Sequence, residues 1–180
     1  MRIPSVQTMK VNLADWHETR KAVKSLLPVD MLVNSMHISE ATPFTQITES
    51  TFDKVFGIDV KGIFGITQVI VDDLLKRNQS GSIVNISSNP HQSSDHVLQN
   101  LSKETVAAFT KELAEDVESR NIKVNSISSG GYVCNESHPQ TECVDYVQRS
   151  VHPSDVVDVV IYLLSDRSKK INGHCVTVRG

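Results

Sequence analysis

Metal-binding cysteine patterns are absent from this chain of 180 residues. Its three cysteines, Cys134, Cys143 and Cys175, show no Cys-x-x-Cys spacing and no evident disulfide set, so they read as free thiols of a reducing, cytoplasmic compartment. Excess charge is also missing. A formal net charge of -3 offers no electrostatic case for nucleic acid or an anionic membrane as partner. No apolar run is long enough to span a bilayer, and the opening Met1–Val6 stretch lacks the apolar core of a signal peptide. Aromatic residues make up only 5% of the chain, and neither repeats nor low-complexity tracts occur. Asn78, Asn85, Asn100 and Asn135 each open an Asn-x-Ser triplet, which without a secretion signal reads as chance.

What the chain does contain is a single domain's worth of core, at 39% hydrophobic and 22% charged residues, arranged as alternating strands and helices. Val6–Val11 reads as a short extended run. Trp16, Thr19, Ala22, Val23 and Leu26 recur at helical spacing before Pro28, and Met31–Val33 is a compact apolar strand. Thr48–Arg77 reads as one long helix with a stripe that includes Phe52, Val55, Phe56, Val60 and Ile63. Ser82–Ser88 and Ile122–Ile127 are strands flanking a helix striped by Leu101, Thr105, Ala108, Phe109 and Leu113. Ser128–Val151 has no sustained period and reads as a long loop; Pro153 opens a helix through Leu164, and Cys175–Val178 closes the chain as a strand. Uninterrupted apolar strands between helices predict an α/β fold, a Rossmann-like parallel sheet covered by helices on both faces.

The segment from Asn85 to Glu112 carries the most chemical information. A strand ends in Ser87-Ser88, a polar loop follows, and a helix opens with Gln99-Asn100-Leu101-Ser102-Lys103. Together with Val11-Asn12-Leu13-Ala14-Asp15-Trp16, Val29-Asp30-Met31-Leu32-Val33-Asn34, Ile122-Lys123-Val124-Asn125 and Leu163-Leu164-Ser165-Asp166-Arg167-Ser168, this ordered series resembles the short-chain dehydrogenase/reductases. Within them it is most similar to the branch of L-xylulose and dicarbonyl/carbonyl reductases. The resemblance covers the last two-thirds or so of such an enzyme and implies a single domain over residues 1–180, without the family's first two strand–helix units.

The resemblance implies a site and also shows how far this chain departs from it. The family uses a strand-end serine, here Ser88, to hold the substrate carbonyl, and a Tyr-x-x-x-Lys whose lysine, here Lys103, bonds the nicotinamide ribose. The tyrosine position reads Gln99, and an amide cannot deliver the proton that a forming alkoxide needs. The helix asparagine that supports a proton-relay water reads Asp59. On the cofactor side, Asn12 stands where the family has an acidic residue at the adenine, followed by Leu13. Asn34-Ser35-Met36-His37 replaces an Asn-Asn-Ala-Gly turn, which puts bulk where the dinucleotide is approached by backbone. After the sixth strand the stretch reads Ser128-Ser129-Gly130-Gly131-Tyr132-Val133-Cys134. The glycine-rich turn that cradles pyrophosphate is not found in these 180 residues.

Asn12, Leu13, Asn34 and Lys103 are therefore the candidate cofactor residues, and Ser88 and Lys103 the candidate catalytic ones. NADP(H) is implied by the resemblance alone, with weak or lost binding expected. His91, His96 and Tyr132 are candidate substitute acids; the plainer reading is a turn serine, a solvated helix lysine and exposed loop histidines. Asp59, on an otherwise apolar helix, faces either a partner or a water pocket. Two functions follow. One is a degenerate relative with little or no catalysis of its own, acting through homo- or hetero-oligomer contacts of the helices at 48–77 and 100–119. The other is an NADPH-dependent carbonyl reductase of the L-xylulose/dicarbonyl type. Without the family's strands between them, Val6–Val11 is expected to pair beside Met31–Asn34 through the intervening helix, contracting the sheet.

Overall fold

The computed structural model of the chain describes residues 6–88, 96–129 and 151–179. Four strands, β1 (Met31–Asn34), β2 (Gly81–Ser88), β3 (Ile122–Ser129) and β4 (Cys175–Val178), form one sheet in the order β1-β2-β3-β4. All three pairings are parallel, with Asn34 opposite Asn85, Asn85 opposite Ser126, and Ser126 opposite Cys175. The helices are α1 (Trp16–Lys24), α2 (Glu49–Phe56), α3 (Ile63–Arg77), α4 (Val97–Val117) and α5 (Pro153–Leu164). The Rossmann-like α/β architecture expected from the sequence is present.

Adjacent residues of β2 bury themselves on opposite faces, as a doubly covered parallel strand requires. Ile83 joins Ile70, Leu74, Ala114, Val117 and Val124 beneath α3 and α4. Val84 joins Ile127, Val156 and Leu163 beneath α5. Gly81 opens β2 where Leu74 leaves no room for a Cβ. Lys123 ties the second layer down by donating to the carbonyls of Leu163 (3.1 Å) and Ser165 (2.8 Å) and to Ser168 Oγ (2.8 Å). It thereby caps the C-terminus of α5 with a cation. Burial pulls its pKa below the usual lysine value, an effect that Asp166 opposes.

The start of α1 is closely specified. Asp15 caps it by accepting from His17 and Glu18 N–H, both at 2.9 Å. The preceding turn is closed by Asp15 N–H to the Asn12 carbonyl at 3.0 Å, and Thr19 Oγ1 donates to that same carbonyl at 3.1 Å. Leu13 packs on Gly62, and the Trp16 ring lies where a Cβ on Gly65 would come within 3.1 Å of it. α1 is thus seated on α3.

Two expectations are corrected. The long helix expected over 48–77 is helical without a gap from Glu49 to Arg77, but residues Gly57–Gly62 form a π turn between α2 and α3. Residues 6–11 form no strand, so the sheet does not contract. The cause is the anchoring of Asn12, Leu13 and Trp16 to α3 and the turn before α1, which fixes where the preceding segment leaves. β1 therefore has one strand neighbour among the described residues. The Ser82 N–H donates to the Asp30 carbonyl at 3.1 Å. Ladder bonds in a parallel pair alternate along the strand, so Leu32 turns its backbone toward β2 while Met31 and Val33 turn theirs outward. The side chains of Met31 and Val33 are 58% and 40% exposed.

At low protein concentration, the amides of Met31 and Val33 are expected to exchange hydrogen rapidly while that of Leu32 is protected. Residue-resolved exchange by NMR checks this, and equal protection of all three would mean that a strand covers the edge.

Candidate functional site

Asp59, Gln99 and Lys103 come together beside the segment that follows β1, around one carboxylate. The π turn places Asp59 on the inner side of its helix with no solvent exposure. Its Oδ2 accepts from Lys103 Nζ at 3.0 Å and lies 3.2 Å from Ser102 Oγ; its Oδ1 accepts from the Ile38 N–H at 3.0 Å. His37 Nδ1 stands 3.8 Å from Oδ2, longer than an ordinary hydrogen bond. Burial by itself raises the Asp59 pKa. The His37 imidazole, the Lys103 ammonium and the Ile38 N–H outweigh it and hold the carboxyl below its ordinary value of 3.8. The expectation that Asp59 faces a partner or a water pocket is corrected: it faces Lys103.

Lys103 is 5% exposed, and its ammonium lies between Asp59 and the Met36 carbonyl, 3.4 Å away. α4 carries Gln99 and Lys103 one turn apart, which aims both at the segment following β1. Gln99, 2% exposed, donates from Nε2 to the Ile38 carbonyl at 2.9 Å. Its Oε1 is buried without a hydrogen-bond partner among the described residues. Residues 36–38 are therefore held from three directions: Lys103 on the Met36 carbonyl, Asp59 on the Ile38 N–H, and Gln99 on the Ile38 carbonyl. The substituted acid position has become a latch on backbone.

The other candidates are placed differently. Asn34 is buried at the end of β1, where its Nδ2 bonds Asn85 Oδ1 at 2.8 Å and lies 3.1 Å from Thr67 Oγ1. Asn85 in turn donates to Thr110 Oγ1 at 2.8 Å. This row of amides joins β1, β2, α3 and α4 inside the core, and its buried polar atoms have partners. Asn12 is exposed, and its Oδ1 accepts from the Ala14 N–H at 3.2 Å; Leu13 packs on Gly62. An open groove of about 860 Å³ adjoins Asn12 and is lined also by Lys54, Phe56, Ile58, Lys61 and Phe64. Asn12, Leu13 and Asn34 are thus spread between this outer turn and the core and do not gather around Lys103. Ser88 ends β2 with its backbone in register with Ser129. His91 and Tyr132 lie outside the described residues, and His96 directly precedes α4. No group of three or more His, Cys, Asp or Glu side chains able to hold a metal occurs among the described residues.

Sequence reasoning missed the roles of His37, Ser102 and the backbone of Met36 and Ile38. The one legible signal was Asp59, a carboxylate on an apolar stripe, which must be compensated when buried.

Removing one partner of a buried ion pair strands the other, so Lys103→Met is expected to cost about 3–5 kcal/mol in urea unfolding at pH 7. Adding Asp59→Asn to that variant is expected to recover most of the loss. Because the folded pKa of Asp59 lies below its unfolded value of about 3.9, the pair's contribution is complete above that value. It is lost as pH falls through the folded pKa, a decline the double variant lacks. A Lys103→Met protein as stable as its parent would contradict the pairing.

Comparison with known proteins agrees with this fold. A family model described as enoyl-(acyl carrier protein) reductase matches residues 5–180. L-xylulose reductase of Mesocricetus auratus is 29% identical over 188 residues, spanning 98% of this chain and 77% of that protein. NADPH-dependent carbonyl reductase 2 of Sus scrofa is 28% identical over 186 residues, spanning 97% and 76%. Among solved structures, a short-chain dehydrogenase of Leptospira borgpetersenii with bound NAD+ superposes with a TM-score of 0.84 at 26% identity, over 99% of this chain and 79% of that one. 4-Hydroxyisoleucine dehydrogenase complexed with NADH and succinate gives 0.81 at 25%, over 94% and 78%. With a family match over nearly its whole length and the same parallel architecture, the chain belongs to the short-chain dehydrogenase/reductase family.

Proposed function

We propose that this chain is a short-chain dehydrogenase/reductase relative with little or no catalysis of its own, acting by association with related subunits in the cytoplasm. The observation that carries the reading is the Asp59–Lys103 pair, with Nζ and Oδ2 3.0 Å apart and both side chains nearly or wholly out of solvent. In the family arrangement lysine serves the nicotinamide ribose. Here its ammonium is committed to a carboxylate and a backbone carbonyl, and a ribose diol would have to displace a buried ion pair. Gln99 can hold a hydrogen bond but has no proton to give at neutral pH, and its amide N–H is already on Ile38. The Asn34 amide is consumed inside the core. The residues present therefore do not fit an NADP(H) molecule seated as in the relatives, and no hydride-transfer step is assigned to them.

Association is supported by apolar side chains left in solvent on α2, α3 and α4. Phe52 (α2), Phe64 (α3) and Leu101 (α4) are all exposed, and Phe64 lies against both Trp16 and Phe109. These helices fall within the stretches 48–77 and 100–119 that the family resemblance points to.

With NADPH as reductant, the chain is expected to reduce neither L-xylulose nor diacetyl above a buffer blank, because loss of a positioned acid alone costs about 10²–10⁴-fold. NADPH fluorescence is expected to be unchanged on mixing. Turnover abolished by Ser88→Ala would favour the alternative, a carbonyl reductase of the L-xylulose/dicarbonyl type, and would falsify this reading. Restoring the tyrosine by Gln99→Tyr is expected to leave the protein inactive, since Lys103 remains on Asp59. Robust reduction by that single variant would show that the ion pair yields to cofactor.

A further inference from the structure

Among the described residues, one strand edge and one segment outside the sheet lack strand partners and do not pair with each other. One is the outer edge of β1, where the backbone of Met31 and Val33 faces away from β2 and their side chains share one exposed face of the sheet. The other is the segment of residues 6–11, Val-Gln-Thr-Met-Lys-Val, which has no glycine or proline and makes no backbone hydrogen bond to any described residue. Val6 and Met9 are 83% and 51% exposed. Together they pose the hazard of an open edge beside a loose strand.

We propose that β1 is completed in trans by residues 6–11 of a second copy of this chain, through reciprocal strand exchange. Pairing within one molecule is opposed by the anchor that follows the segment. The Asn12 carbonyl is bound by Asp15 N–H and Thr19 Oγ1, Leu13 is seated on Gly62, and Trp16 is seated on Gly65. Bringing residues 6–11 onto their own β1 would undo these contacts. A second molecule brings the same segment with its anchor intact. Six residues suffice to cover a four-residue edge. As a strand, the segment puts Gln7, Met9 and Val11 on one side, and two of these are apolar neighbours for Met31 and Val33. A two-fold axis makes each copy both donor and acceptor, so the exchange closes at a dimer. A four-residue ladder is a small contact, and the association is accordingly dependent on concentration.

The test combines light scattering after size exclusion with hydrogen exchange on the full chain. As concentration rises, a dimer is expected, and the Met31 and Val33 amides gain protection in step with it. Thr8→Pro/Met9→Pro removes adjacent backbone donors, so one is lost whichever way the strand faces. Both substitutions lie outside every helix and strand, and the far-ultraviolet circular dichroism of the folded domain is expected to be retained. This variant is expected to stay monomeric with rapidly exchanging Met31 and Val33. A dimer that persists in it, a dimer whose β1 edge still exchanges rapidly, or a monomer at every concentration would each overturn the proposal. Phe64→Glu/Leu101→Glu separates this contact from association through the helices, since strand exchange is expected to survive it. Loss of the dimer in that variant alone would assign the interface to the helix faces and overturn the exchange.

Discussion

A carboxylate with no access to water must be solvated by the protein, and in this chain the requirements of Asp59 organise everything at the carboxyl end of the sheet. One oxygen takes the Lys103 ammonium and the Ser102 hydroxyl; the other takes the Ile38 N–H. Burial of this kind is stable only when every lone pair finds a donor, so helix, strand-following segment and α4 are held to one another by the same group. Gln99 adds a bond from α4 to the Ile38 carbonyl, and the three residues after Ser35 become part of the framework.

The same constraint fixes what the cation at this end can do, since the Lys103 ammonium is bound to Asp59 and to the Met36 carbonyl. The carboxyl is held in its charged form by the neighbouring His37 and Lys103 against the cost of burial. The π turn at Gly57–Gly62 is what presents Asp59 inward on a helix that is otherwise packed through apolar residues. Departures at Gln99 and Asp59 that look separate in the sequence are one connected structure in space.

Where α1 meets α3 the governing fact is geometric. The turn at Asn12–Asp15 and the small residues Gly62 and Gly65 let α1 lie close on α3. That close seat carries residues 6–11 away from β1. The fold keeps its two buried faces, under α3 and α4 and under α5, and leaves the β1 edge without a second strand neighbour among the described residues.

Much was legible from the chain alone, because it depends on local periodicity and short spacing. The four strands and the helix opened by Pro153 follow from pattern. The pairing of Asp59 with Lys103, 44 positions apart, was decided only by tertiary structure, because helical spacing reports a side chain's face and not its partner across the core. The same holds for Asn34, whose place in an amide row depends on the register of β1 with β2. Residues 6–11 mark the opposite case: their strand-like composition was outweighed by an anchor that only the packing of Leu13 and Trp16 on two glycines creates.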